Sequence, residues 1–177
     1  MADTTTAITT RQELIDYTTA EWNTFVSSID GLADDQWLGP QDAAGWSVKD
    51  HVSHVTQWDV AVVELFRNGV PMQQSLGIPD EEWTLDNYDP MNERIRQRFL
   101  DDSIETVKAD RDATWLDLLR VLKHLSDEQL AAPPGEGGLN VGDESAPTLL
   151  EELVGYLGGH YADHLGYIRL IVKGAAG

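Results

Sequence analysis

His160 and His164 stand four residues apart in GGHYADHLGYI, residues 158–168. Four residues is about one turn of an α-helix, so the two imidazoles project roughly 40° apart around the axis. Leu153, Leu157, Tyr161, Ile168 and Ile171 fall in the same sector, which marks that face as core-facing. A buried neutral imidazole leaves two ring nitrogens in need of partners, and a buried charged one costs more. Two such rings side by side are satisfied together by a divalent metal ion. A pair alone is a weak signal, because a lone core histidine is more often hydrogen-bonded to a backbone or carboxylate neighbour. The signal strengthens with HVSHVTQWD, residues 51–59. There His54 aligns with Trp58, Val62 and Leu65, toward a second interior face, while His51, nearer the start of the segment, is the weaker candidate ligand. His124 ends a third segment, where an imidazole suits the helix dipole and needs no other role.

Other chemistries are excluded by residue type and spacing. There is no cysteine among 177 residues, so disulfides, thiolate ligands and a cysteine nucleophile are absent. Tyr161 stands where His-Glu-x-x-His proteases carry their glutamate. No histidine has a glutamate three residues before it, as di-iron carboxylate bundles require. No Walker loop, GxGxxG turn after a strand or GxSxG elbow is present. Twelve basic against thirty-one acidic side chains give a net charge of −19. That balance predicts repulsion from phosphates, hence no nucleic acid and no anionic membrane as partner. MADTTTAITT lacks the basic start and apolar run of a signal peptide, and no apolar run reaches the roughly 18 residues of a membrane span. A cytoplasmic protein is the expectation, with homodimerisation left open.

The elements that must carry these histidines are helices. Thr10-Arg-Gln-Glu13 is a capping box, followed by Leu14, Thr18, Trp22, Phe25 and Ile29 at spacings of three and four, with Gly31 as the stop. Ser47 with Asp50 starts a second helix along Val52, Val55, Val62 and Phe66, closed by Asn68-Gly69. Asp102-Ser-Ile-Glu105 predicts the cap of a third, whose buried face runs from Ile104 to Leu125. A short helix over 90–99 precedes it. The fourth is predicted from Pro147 to about Lys173. Val and Ile are not clustered with a period of two, so strands are not expected. The fold class is therefore all-α, an antiparallel four-helix bundle in a single domain of residues 1–177, with frayed ends at about 1–9 and 174–177. Two long connections, 69–89 and 126–146, link helices two to three and three to four, and connections of that length usually serve function or are mobile.

GWSVKDHVSHVTQWD (45–59) together with HYADH (160–164) resembles the DinB-like (DinB/YfiT-like) superfamily of four-helix-bundle metalloenzymes. In that family a Trp-Ser/Thr-x-Lys/Arg-Asp helix start precedes a histidine, often followed by Trp-Asp or Trp-Glu, and an H-x-x-x-H pair lies on the last helix. The resemblance implies His54, His160 and His164 as ligands of one divalent metal, with Trp46, Ser47, Asp50, Trp58 and Asp59 matching the surrounding pattern. It also implies zinc or nickel, or else iron or manganese, and transferases that use a low-molecular-weight thiol such as mycothiol or bacillithiol. No counterpart of the additional C-terminal domain of the family's mycothiol-dependent isomerases is expected here, so that specific activity is not part of the expectation. The family's name records induction by DNA damage and does not by itself imply DNA binding.

Three imidazoles leave a coordination position open for water or substrate, as catalytic sites do. An ion so held lowers the pKa of water or of a thiol, which serves hydrolysis or S-transfer on a small electrophile. Asp50, one turn before His54, is a candidate partner for that imidazole's second nitrogen, although a helix cap is its simpler role. Trp58 and Asp59 flank the ligand, Asp59 being equally readable as a solvated surface charge. Tyr161 and Asp59 are weak catalytic candidates. Trp46, Trp83, Tyr88 and Tyr161 are candidate pocket walls. Metal affinity is expected to fall as pH drops through the imidazole range near about 6.5. The alternative is a non-catalytic bundle that binds or sequesters a small molecule.

Overall fold

The structure, a computed structural model, describes residues 8–39, 41–83, 87–134 and 148–175. Among these there is no strand. Helix α1 spans Arg11–Ile29, with the Thr10–Glu13 capping box in place. A short α2 (Asp34–Leu38) follows, and α3 (Val48–Asn68) begins at the Ser47–Asp50 capping box. It stops at Gly69, whose φ of 67° is left-handed and open to glycine at little cost.

Residues 69–89 are more structured than a plain loop. They hold α4 (Met72–Leu76) and a 3₁₀ turn (Asp80–Glu82), while 84–86 lie outside the described residues. Helix α5 covers Asp89–Gln97 and α6 Ile104–His124. The α6 cap sits one residue later than expected. Ser103 Oγ accepts from the Thr106 amide at 3.1 Å, while the Asp102 carbonyl accepts from Lys49 Nζ at 2.9 Å. After α7 (Asp127–Ala131), residues 135–147 lie outside the described residues, and with them Pro147 and most of PPGEGG. Thr148 caps α8 (Leu149–Val154), which passes through a π-helical turn, Gly155–Gly159, into α9 (His160–Ala175). Thr9 donates to the Glu13 carboxylate just before α1, and the last helix, α9, ends at Ala175.

Four long helices thus form the bundle. Arg11 at the start of α1 donates to the Leu125 carbonyl, and Arg111 within α6 donates to Asp30 beyond the end of α1, so these two helices are antiparallel. By contrast Lys49 meets Asp102 and Arg67 meets Asp117, so α3 and α6 run in the same sense. A parallel pair cannot be joined by a tight turn, which accounts for the long crossover between them. Helix α9 returns antiparallel to α3.

Burial divides into two apolar clusters. One gathers Leu14, Trp58, Val62, Met91, Leu118, Leu122 and Leu153; the other gathers Trp22, Phe25, Trp37, Val55, Tyr161 and Ile168. The histidine-bearing faces of α3 and α9 lie where residues of both clusters alternate along the two helices, Trp58 and Leu157 in the first, Val55 and Tyr161 in the second.

Candidate metal centre

Helices α3 and α9 are antiparallel, so His51 and His54 in the first turns of α3 meet His164 and His160, which lie midway along the run from α8 through the π turn into α9. His54 Nε2 and His160 Nε2 approach to 3.3 Å. One ring nitrogen from each of His54, His160 and His164 lies within 4.8 Å of the corresponding nitrogen of the other two. His54 is buried, and His160 and His164 are partly accessible. Trp46 lies over the cluster, its ring 5.2 Å from that of His54 and 6.4 Å from that of His164. Trp58 closes another side at 6.1 Å from His54 and 6.2 Å from His160.

The electrostatics favour neutral ligands. Burial holds His54 well below the ordinary imidazole pKa, with the neighbouring histidines adding to the effect. Burial likewise lowers His160, to about 4, and His164 falls well below its usual value for the same reasons as His54. All three rings are therefore neutral nitrogen donors at pH 7.

The residues fit a divalent ion. Two imidazoles bound tetrahedrally at about 2.0–2.1 Å stand about 3.3 Å apart, which is the separation of His54 Nε2 and His160 Nε2. The other nitrogen of each ring, Nδ1, is buried with no hydrogen-bond partner among the described residues. Without an ion, two buried nitrogens therefore face one another and two more go unsatisfied, a costly arrangement.

Several surroundings differ from the sequence expectation. Asp50 does not reach His54. Its Oδ2 accepts from the Ser47 amide and hydroxyl, at 2.9 and 2.7 Å, and its Oδ1 pairs with Arg96 at 3.5 Å, so the cap role takes the carboxylate. Asp59 is no surface charge. It is 1 % exposed, accepts from the Tyr161 hydroxyl at 2.7 Å, and burial raises its pKa to about 8. Tyr161 is fully buried against Trp22 and Phe25 in the second cluster, so it is core and not a pocket wall. Trp83 packs at a tilt beside Trp58 with centroids 6.5 Å apart, one layer out from the histidines, and Tyr88 packs on the first cluster.

Two neighbours of the cluster, Asp42 and His51, make contacts that the sequence did not foretell. His51 Nδ1 is 2.9 Å from His164 Nδ1, and His51 Nε2 is 3.1 Å from Asp42 Oδ2. The Asp-Ala-Ala-Gly stretch reads as a turn, but nothing in the sequence says which side chain the turn's carboxylate will meet.

A family model described as the DinB superfamily matches residues 17–168. The chain belongs to the DinB superfamily. Solved structures share the fold of this DinB-superfamily chain. The colibactin self-resistance protein ClbS, in complex with a dsDNA, superposes with a TM-score of 0.73 at 15 % identity, over 94 % of this chain and 98 % of that one. An uncharacterised protein from Escherichia coli UTI89 gives 0.73 at 15 %, over 96 % of each chain. The sibling lethal factor precursor DfsB gives 0.75 at 14 %, over 96 % and 98 %. No curated protein matches by sequence.

The ClbS complex overturns the exclusion of nucleic acid drawn from charge. A net charge of −19 is a sum over the whole chain, whereas phosphates are contacted by a local set of donors on one face. The sum therefore cannot exclude nucleic acid for a member of this fold. As for membranes, no helix among the described residues is long and apolar enough to cross one.

Proposed function

We propose that this DinB-superfamily chain is a metal-dependent enzyme acting on a small electrophile, by transfer of a low-molecular-weight thiol of the mycothiol or bacillithiol type or by hydrolysis. The observation that carries the reading is the approach of His54 Nε2 to His160 Nε2 at 3.3 Å, with a His164 nitrogen close by. His54, His160 and His164 would hold one divalent ion, zinc or nickel before iron or manganese. When bound, such an ion supplies Lewis acidity with no charged ligand to offset it.

The chain's own residues do the rest. The three imidazoles arrive neutral, so they bind without first losing protons. Trp46 and Trp58 cover two sides of the cluster and restrict water there. A thiol nucleophile must come from a small molecule, because the sequence has no cysteine. The partial accessibility of His160 and His164 supplies the side from which a substrate approaches.

The test has two stages. Metal is measured in untagged protein, and the loaded protein is then assayed with a generic electrophile, with and without a small thiol. Near-stoichiometric metal and turnover accelerated by the thiol support S-transfer. Turnover indifferent to thiol supports hydrolysis. Absence of metal under every loading condition removes the reading.

A second reading is a non-catalytic bundle that binds or sequesters a reactive small molecule. The self-resistance described for ClbS favours it, and the dsDNA in that complex adds duplex DNA to the ligands to be assayed. Retained metal with stoichiometric ligand binding and no turnover would select it.

A further inference from the structure

We propose that Asp42 and His51 form a hydrogen-bond relay that locks His164 in one tautomer, with its proton on Nδ1 and its Nε2 lone pair free for the histidine cluster. The proposal rests on the reading of His164 as a metal ligand, but the relay itself is a property of the metal-free protein.

The relay begins in the backbone. Asp42 Oδ1 accepts from the amides of Ala44 and Trp46, both at 2.9 Å, and the Asp42 amide donates to the Trp46 carbonyl at 2.9 Å. That turn holds the carboxylate in place and commits one oxygen. The other, Oδ2, lies 3.1 Å from His51 Nε2. His51 is clamped as well. Tyr167 stacks flat on it with centroids 5.6 Å apart and 7° between planes, and Trp46 packs at 5.3 Å. Only 3 % of the His51 side chain is exposed.

Proton counting then fixes every position. A carboxylate only accepts, so His51 carries its proton on Nε2. A neutral imidazole has one ring proton, so His51 Nδ1 can only accept. The 2.9 Å contact with His164 Nδ1 is therefore made by a proton on His164. That leaves His164 Nε2 as the nitrogen with a lone pair. One carboxylate, two hydrogen bonds away, decides which atom of His164 can bind a metal. Partners of this kind that act through a ligand's second nitrogen typically change metal affinity about 10–100-fold when removed.

Asp42→Asn is the sharpest variant. The side chain is isosteric, and its carbonyl oxygen must stay on the Ala44 and Trp46 amides, because an amide nitrogen cannot accept from them. The NH₂ group then faces His51 and can only donate. Every polarity along the relay reverses: His51 accepts at Nε2 and donates from Nδ1, and His164 accepts at Nδ1 and carries its proton on Nε2, toward the cluster.

Long-range ¹H–¹⁵N correlation spectra of ¹⁵N-labelled, metal-free protein report both tautomers, and titration with zinc reports affinity. The expected wild-type result is Nε2–H for His51 and Nδ1–H for His164. Asp42→Asn should invert both and weaken zinc binding about 10–100-fold, with the helical circular dichroism unchanged. His51→Phe, which keeps a stacked ring and removes the acceptor, should release the His164 tautomer and also weaken zinc. A wild-type His164 with its proton on Nε2, or tautomers unmoved in Asp42→Asn, overturns the relay. So does His51→Phe abolishing zinc binding as completely as His164→Ala, since His51 would then itself be a ligand. A wild-type protein that binds no zinc removes the proposed function, and the tautomer measurement still decides the relay.

Discussion

The hydroxyl of Tyr161 donates to Asp59 Oδ2 at 2.7 Å where neither residue is more than 1 % exposed. Burial raises the Asp59 pKa from 3.8 to about 8, against the lowering effect of the Tyr161 hydrogen bond. The folded protein therefore keeps the proton that the unfolded chain gives up from about pH 4 upward. Between about pH 4 and 8 the unfolded state binds fewer protons, so this group makes stability fall as pH rises, by up to about 1.4 kcal/mol per pH unit. Asp59→Asn keeps an acceptor for Tyr161 and cannot ionise. Thermal melts of metal-free protein from pH 5 to 8 should show a higher midpoint for Asp59→Asn at pH 8 and a difference that shrinks toward pH 5. A difference independent of pH would mean Asp59 is ionised in the fold.

The histidines act in the opposite direction. His160 has a folded pKa of about 4 against about 6.5 when unfolded, so its contribution is complete above 6.5 and is lost as pH falls toward 4. Between pH 5 and 6.5 the lowered values of His54, His160 and His164 together oppose the slopes of Asp59 and of Glu152, whose pKa burial raises to about 7. Removing one of these imidazoles with His160→Phe should make stability rise less with pH across this window than it does in the wild type. An unchanged profile would count against a neutral His160 in the fold.

The same pKa shifts move the metal expectation. Ligands already neutral in the folded protein do not compete with protons near 6.5. Zinc affinity should be level from pH 8 to about 6 and decline only below, toward about 4. A steep loss centred on 6.5, seen by isothermal titration, would show that the site is more hydrated than its burial implies.

Single substitutions of His54, His160 or His164 by alanine should each remove most bound metal and abolish the rise in melting temperature produced by zinc. The helical circular dichroism should persist, because both apolar clusters remain. Loss of the fold in all three variants would make the histidines structural.

Gly158 sits in the π turn directly against Tyr17. A Cβ there would lie 2.3 Å from Tyr17 Cε1, which requires a shift of the ring or of the helix. Gly158→Ala should destabilise by about 1–3 kcal/mol in urea unfolding, and Tyr17→Ala should restore part of the loss. Gly159→Ala meets only the Val154 carbonyl, at 3.3 Å, and should be milder. Equal effects at both positions would rule out the close contact with α1 as the cause.

Trp83 reaches Trp58, whose ring borders the histidines, and Tyr88 packs on the adjacent apolar cluster. Replacing both by alanine should alter KM or kcat of the loaded enzyme with little loss of metal. If metal is lost while the remaining holoprotein has unchanged kinetics, the segment supports the fold and not the substrate.

Much of this molecule is written in local pattern. Capping boxes at Thr10 and Ser47 and apolar residues spaced by three and four are short-range signals, so two helix starts and the all-α class were legible in the chain. The pairing of His160 with His164 and the inward aim of His54 follow from the same periodicity. What local pattern cannot carry is direction and depth. Whether α3 and α6 run parallel depends on the crossover, and the burial of Asp59 depends on α9 lying against α3. The π turn before His160 also changes the angular step between Leu153 and the histidines, because an inserted residue breaks the uniform 100° advance that a helical wheel assumes. Asp42 and His51 show the limit most plainly. Both are visible as a turn residue and a helix residue, yet the hydrogen bond between them, and its continuation to His164 across 113 positions of sequence, exists only because packing brings three separate segments to one point.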